Sequence, residues 1–402
     1  MEQQGGGMLT GLRVVEMSAF VAVPLAGMTL AQLGADVIRV DPSGGGVDYH
    51  RWPVTADGAS LYWAGLNKAK RSLTVDLRSD DGRDLVRRLI TAPGEGGGVL
   101  ISNLSLRWLD LDALRRTRPD LISVALRGSP DGSVAVDYTV NAAAGYPQVT
   151  GPPGGGMVNH VLPAWDLLAG HQVALAVLAA ERRRRESGAG AHIDVSLSDV
   201  AMATAGHLGN IGEVAVNGVD REAYGNYLYG SFGRDFTTGD GRRIMMVALT
   251  RRHWQALLEA TGLSAELAVV ESRLGLDFTL EGDRFAAREE IAAVLEPWFA
   301  TRSEGEVGEM LTAARVPWGR YQTFRELVDD DPRMAGTDSI FETVTQPGIG
   351  TYPAPASPLR VAGGVSSPLL APVLGADTAA VLGDVLGMGA ADIDELRRAG
   401  VL

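Results

Sequence analysis

Asp166 heads a long apolar run, DLLAGHQVALAVLAAERRRR, which reads as a buried helix whose basic last turn emerges into solvent. A carboxylate in that place has two uses. It can cap a helix by accepting from the first unpaired backbone N–H groups, or it can attack an acyl carbonyl. On the residues alone, capping is the default. The other acyl-transfer nucleophiles are missing. The chain has no cysteine, which removes catalytic thiols, disulfides, thiolate zinc sites and iron–sulfur clusters. No GxSxG, HExxH, GxxxxGK[ST] or GxGxxG pattern occurs. The six histidines, His50, His160, His171, His192, His207 and His253, show no recurring metal-ligand spacing, so no metal site is expected. A carboxylate is what remains for acyl chemistry.

The elements that must position such a residue alternate between strand and helix. LRVVEM (12–17), DVIRVD (36–41), GVLISNL (98–104), LISVALRG (121–128) and HIDVSL (192–197) read as strands. Between them lie an apolar helix around PLAGMTLAQLGA, a helix capped by Ser79 or Asp80 before GRDLVRRLI, and DLDALRRTRP, which ends at Pro119. This alternation predicts a doubly wound, Rossmann-like α/β domain. Such sheets bind ligands beyond the carboxyl ends of their strands, which directs attention to the loops at 17–24, 41–53, 103–108 and 128–141. Residues 142–165, rich in Gly and Pro, read as an ordered loop. The character changes after about residue 218, where GNYLYGSFGRDF, a strand at RIMMVAL and helices at 252–262, 286–300 and 303–314 predict a smaller α+β domain. The expected division is 1–217 for the first part of the large domain, 218–329 for the small one, and 330–402 for a return to the large one.

A net charge of −13, from 36 basic and 49 acidic residues, argues against a nucleic-acid or anionic-membrane partner. The stretch from Leu167 to Ala180 is too short to span a bilayer and is broken by Glu181. The start, MEQQGGGM, lacks the flank and apolar core of a signal peptide. It reads as a disordered leader over residues 1–7, with Met8 an alternative start. A cytoplasmic protein is expected.

Several blocks, in order, resemble the family III CoA transferases, which include formyl-CoA transferase and the carnitine CoA transferases. They are GLRVVEMSAFVAVPLAGMTLAQLGADVIRVD at the start, NKAKRSLTVDL (67–77), the Asp-led helix at 166 with ERRRRESGAGAHIDVSLSDV after it, and SPLR and PVLGADTAAVLGDVLG near the end. The resemblance implies a two-domain subunit in an interlocked homodimer, with an acyl-CoA and a dicarboxylate as substrates. It implies no permanently bound cofactor, coenzyme A arriving as part of the substrate. Asp166 would be the catalytic carboxylate, acylated by the thioester and then loaded with CoA. Arg39, Lys70 and Arg107, read on the residues alone as solvated charge, would contact CoA, with Asn103 and Leu104 beside them. Val21 and Ala22 would offer backbone N–H groups to an oxyanion, against the plainer reading of a tight core turn. Tyr138, Asn141 and His160, and Asn226 and Tyr227 in the later aromatic loop, would face the acyl group; packing is the alternative for each.

Within the family, the segments PSGGGVDYHRWPVT, VDYTVNAAAGYPQVTGP, VNHVLPAWD, GNYLYGSFGRDF and QPGIGTY resemble the subgroup that moves CoA from the C1 to the C4 carboxyl of mesaconate. An intermolecular acyl-CoA:dicarboxylate transferase is the alternative. An α-methylacyl-CoA racemase is a further one, weakened because no histidine occurs between His50 and His160, where the racemases carry a His-Asp pair.

Overall fold

The computed structural model describes residues 7–361 and 363–402. The expected leader lies outside the described residues except for Gly7, whose carbonyl accepts from the Thr10 N–H. In chain order the first elements are β1 (Arg13–Met17), α1 (Ala22–Gln32), β2 (Asp36–Asp41), α2 (Leu61–Leu66), β3 (Arg71–Thr74), α3 (Asp80–Thr91), β4 (Val99–Ser102), α4 (Leu111–Thr117) and β5 (Ile122–Arg127). Next come α5 (Asp137–Ala143), α6 (Tyr146–Val149), α7 (Ala164–Ser187), β6 (Ala191–Ser196), α8 (Leu197–His207) and α9 (Asn210–Asn217). The six strands form one parallel sheet in the order β3-β2-β1-β4-β5-β6, the doubly wound topology expected from their alternation with helices.

Two helices lie where the sequence suggested loop. The residues DYTVNAA fold as α5 because Thr139 accepts from the Val136 N–H at 3.1 Å, closing the first turn, and because neither Gly nor Pro interrupts it. The short α6 follows Gly145, whose φ of 84° is the left-handed turn that lets the chain restart. The strand β3 lies inside the NKAKRSLTVDL block.

Side chains alternate across the sheet. Val15, Met17, Ile38, Val40 and Leu100 face one layer, packed with Leu85 and Leu89 of α3 and Leu114 of α4. Val381, Leu382, Ile393 and Val401 complete that layer. The intervening residues, among them Glu16 and Arg39, lie in register across β1 and β2 and face α1. There the helix must come close: a Cβ on Gly27 would fall 1.7 Å from Glu16 Oε2.

The chain forms two compact units. One gathers the residues to Ala144, His160–Asn217 and Pro332–Leu402. In it the C-terminal segment returns to the sheet edge. Asp377 accepts from the Ser72 N–H of β3 at 2.9 Å, and the Val401 carbonyl accepts from Asp76. This segment carries the hairpin β10 (Phe341–Gln346) and β11 (Gly350–Pro355), then α16 (Thr378–Leu386) and α17 (Ala390–Arg398).

The other unit comprises Gly145–Asn159 and Gly218–Asp331. Its antiparallel sheet joins β7 (Phe232–Thr237), β8 (Arg243–Ala248) and β9 (Trp318–Arg320). The unit also holds α10 (Arg251–Thr261), α11 (Ser264–Leu274), α12 (Glu281–Ala286), α13 (Arg288–Ala300), α14 (Glu304–Ala314) and α15 (Phe324–Asp330). Phe236 and Phe299 stack at 4.1 Å in its core. Part of GNYLYGSFGRDF, read as loop, is therefore strand β7. Among the described residues no helix is long and apolar enough to cross a membrane.

Gly27→Ala is expected to lower the midpoint of urea unfolding by the equivalent of about 2 kcal/mol or more, because the methyl displaces a buried carboxylate. Gly65→Ala in α2, where a Cβ meets nothing within 4 Å, should not lower it.

Candidate active site

Beneath the sheet's carboxyl edge lies a group of buried charges. Arg39, fully buried, donates through Nε and Nη2 to both oxygens of Asp41 at 2.8 and 3.1 Å, and through Nη2 to Asp48 at 3.1 Å. Its Nη1 reaches Asn67 Oδ1 at 3.1 Å. Despite the cost of burial, Asp41, Glu16 and Asp48 hold this guanidinium above its ordinary range. Lys70 Nζ donates to Glu16 at 2.8 Å, to the Pro24 carbonyl at 2.8 Å and to Asn67 at 2.7 Å. Burial pulls its ammonium down to about 8, against the pull of Glu16. Arg39 and Lys70, expected to contact CoA, are instead both buried, and their donors serve internal acceptors. They hold the scaffold under the site.

That scaffold fixes the loop after β1. Asp48, held by Arg39, accepts from the Phe20 N–H at 3.0 Å. Phe20 has a φ of 67°, a strained conformation for an aromatic residue that such anchoring sustains. Asn103, just past β4, clasps the same loop twice, accepting from the Ala19 N–H at 2.9 Å and donating to the Ala19 carbonyl at 2.8 Å. β1 and β4 are neighbours in the sheet, and the order of strands reverses there. The loops beyond them form the crevice in which doubly wound sheets take ligands.

Asp166 stands in the first turn of α7, two residues beyond its first residue, Ala164, and does not cap the helix. The cap comes from elsewhere. Asp137, opening α5, accepts from the backbone N–H groups of Trp165 at 2.8 Å and Asp166 at 3.1 Å. Its other oxygen pairs with His160 Nε2 at 2.8 Å. A single carboxylate thus satisfies orphan donors of α7 and orients a histidine. Burial, then the charge of Asp137, pushes the Asp166 carboxyl up to about 6, with Arg51 pulling the other way. The helix N-terminus alone would have favoured ionisation; burial and the second carboxylate outweigh it. One turn on, a Cβ at Gly170 would lie 2.6 Å from the Ala22 carbonyl, so glycine there lets α7 close against α1.

Asp166 opens into a cavity of about 650 Å³. Its walls include Phe20 and Val21 of the clasped loop, Asn103, Arg51, Tyr62, Arg127 and Tyr138. Burial, the dominant cause, pushes the Tyr62 phenol up to about 12. Of the expected residues, Asp166, Val21, Asn103 and Tyr138 thus share one cavity. Leu104 and Arg107 line a neighbouring cavity of about 290 Å³ with Ser102, Ser123 and His192; Leu126 and Arg127 belong to both cavities.

Other expected residues lie elsewhere. Ala22 is buried against Gly170 rather than lining the cavity. Asn141 is buried and accepts from Trp165 Nε1 at 3.1 Å, so its place is behind α7 and not against an acyl group. His160 braces Asp137. The argument from spacing against a His-Asp pair is corrected here, because His160 folds back onto Asp137 from 23 residues away; the histidine is not among the cavity-lining residues. Asn226 and Tyr227 belong to the other unit, where Asn226 donates to Asp235 at 3.0 Å and the Tyr227 hydroxyl accepts from Arg234 at 3.0 Å. Sequence reasoning missed Asp137, Arg51, Tyr62 and Arg127. The first two lie inside VDYTVN and DYHRWPVT, blocks that stood out by resemblance, but nothing in their spacing marked them.

Residues 9–378 match the family described as CoA-transferase family III. The chain belongs to that family. As a family III transferase it is 52% identical over 400 residues to the 2-methylfumaryl-CoA isomerase of Chloroflexus aurantiacus, covering 98% of each chain. It is 27% identical to the succinyl-CoA:mesaconate CoA-transferase of Haloarcula hispanica, covering 90% of this chain and 92% of the relative. A CAIB/BAIF family protein from Brucella suis has the same fold, with a TM-score of 0.76 at 25% identity over 95% of this chain and all of the other.

Two outcomes follow from the raised pKa of Asp166. Only the ionised form is nucleophilic, so kcat/KM should fall as pH drops through about 6. Asp137→Asn removes the neighbouring charge and should move that acid limb to lower pH; a variant that is merely less stable with an unmoved limb contradicts the assignment. The second concerns folding. An acid whose folded value lies above its unfolded one carries no penalty when both states are protonated, and the full penalty above the folded value. Asp166→Asn should therefore raise stability by on the order of 2–3 kcal/mol above pH 6, fading to nothing below about pH 4. Thermal unfolding across that range measures it.

Proposed function

We propose that this transferase acts within a single substrate, moving CoA from the C1 to the C4 carboxyl of mesaconate and so converting 2-methylfumaryl-CoA to 3-methylfumaryl-CoA. The observation that carries this reading is the 52% identity, over 98% of both chains, to a 2-methylfumaryl-CoA isomerase. The placement of a part-buried Asp166 at the wall of a substantial cavity supports the covalent route.

In that route the ionised Asp166 attacks the C1 thioester carbonyl. A carbon–oxygen bond forms, the carbon–sulfur bond breaks, and CoA leaves as thiolate, giving a mixed anhydride. The thiolate then attacks the Asp166 carbonyl carbon, releasing the C1 carboxylate and leaving an aspartyl-CoA thioester. The C4 carboxylate attacks this thioester, and the expelled thiolate returns to the C4 carbonyl, regenerating Asp166. No proton is gained or lost overall, and the energy of the thioester is kept at each stage as either an anhydride or a thioester. A carboxylate held beside the loaded aspartate reacts at a far higher effective concentration than one in solution. The Val21 N–H would meet the developing oxyanion. Leu104 and Arg107 would take the distal part of CoA in the adjoining cavity.

We take the functional unit to be a homodimer. The exposed Met202, Leu208, Ile211 and Val214 along α8 and α9 suit a second copy of the chain better than water.

The purified protein with mesaconyl-C1-CoA as its only substrate should yield the C4 isomer by chromatography, and Asp166→Ala should abolish the conversion. Labelled free mesaconate added during turnover should not enter the product. Conversion that requires an added acid would favour the intermolecular transfer named for the Haloarcula relative. Turnover that survives loss of Asp166 would sink the covalent route.

A further inference from the structure

We propose that Arg51 selects the acyl group: its guanidinium receives the carboxylate of the substrate that is not joined to CoA. This rests on the reading of the site as one for a dicarboxylyl-CoA.

Arg51 lies on the wall of the Asp166 cavity. Its guanidinium is placed against two aromatic rings, 5.3 Å from the centre of Phe20 and 5.4 Å from that of Tyr62. Such flanking fixes the plane of the fork and leaves its N–H edge for an anion. Among the described residues no carboxylate lies within ion-pair distance of it. The other arginine of the cavity, Arg127, is already paired with Asp194 at 2.7 Å. A guanidinium with no carboxylate partner, shaped for bidentate contact and lining the reaction cavity, is a receptor for a planar oxyanion.

Two parts of the substrate carry such an anion: the phosphates of CoA and the free carboxylate of the acyl chain. Position favours the carboxylate. The charge of Arg51 is felt by Asp166, the atom set that meets the thioester carbonyl, whereas the phosphates lie a whole pantetheine arm away. In a trans four-carbon diacid the two carboxyl carbons stand about 3.8 Å apart, like Cα atoms across a trans peptide. A chain that short brings its far carboxylate into the part of the cavity that Arg51 reaches. During the exchange the two carboxylates of the released acid trade places, one presented to Asp166 while the other rests on Arg51. No bond to Arg51 forms or breaks. Its contribution is to orient the acid between the two acyl transfers and to disfavour acyl groups with no second carboxylate.

The test measures how fast Asp166 is modified, trapped with hydroxylamine and located by peptide mass, using mesaconyl-CoA or butyryl-CoA. Both carry the same phosphates, and only the first carries a second carboxylate. In Arg51→Gln the ratio of the mesaconyl to the butyryl rate should fall about 100-fold, and Arg51→Lys should restore part of it. Equal losses with both substrates would assign Arg51 to the phosphates or to the fold, and unchanged rates with both would assign it nothing; either overturns the proposal. The result separates from that of the isomerase reading. Wild-type protein that fails to isomerise mesaconyl-C1-CoA, yet shows the Arg51-dependent ratio, would lose that reading and keep this one. Isomerisation undiminished in Arg51→Gln would do the reverse.

Discussion

On the proposed mechanism a carboxylate must ionise in a place that resists charge, and the arrangement around Asp166 turns on that conflict. Exposed to water it would be stable and a poor competitor for a thioester; fully buried it would be neutral and inert. The fold places it between, part-buried in the first turn of α7, with a second carboxylate close by. Asp137 raises the cost of the charge on Asp166 while supplying the hydrogen bonds that begin the helix carrying it. The same side chain therefore raises the pKa of Asp166 and fixes the backbone that carries it, and His160 pairs with that side chain.

The opposite wall of the crevice depends on a different solution to buried charge. Arg39 and Lys70 are among three acidic residues under the sheet edge, and one chain of links runs outward to the site: Arg39 to Asp48, Asp48 to the Phe20 N–H, Phe20 and Val21 to the cavity. Breaking a buried pair of this kind leaves an uncompensated charge, which is far costlier than losing one at the surface. The network thus gives a strained backbone position the rigidity of a core. Gly27 and Gly170 serve the same end from the helices, since both allow α1 to approach groups that a methyl would push away.

Much of this was open to a reading of the residues. The strands around LRVVEM and DVIRVD, and the helix at GRDLVRRLI with its Ser79 cap, follow from hydrophobic pattern and capping chemistry, and the structure has them within a residue or two. DYTVNAA and the RDF segment escaped because each is short and adjoins glycines that look like loop. The site was harder, for a physical reason. Sequence displays charge but not burial, so resemblance could offer Arg39 and Lys70 as CoA contacts, and Arg51, which has no carboxylate partner among the described residues, carried no mark to separate it from them. Asp137 and His160 meet across 23 residues through the approach of α5 to α7, which no local spacing encodes. Asp166 was legible only through resemblance; its residues alone spoke for a cap, a task that fell to Asp137.

The closure of the sheet edge by the last segment bears on how the chain is made. β3 is an edge strand, and its Ser72 N–H is met by Asp377, 305 residues later. Val381, Ile393 and Val401 fill the layer above β1 to β3. While the ribosome is still adding the second unit, that apolar layer stands uncovered. At roughly 5–20 residues per second the exposure lasts on the order of ten seconds or more. The first half of this protein therefore presents an apolar sheet face to its surroundings until the last segment is made and docks on β3.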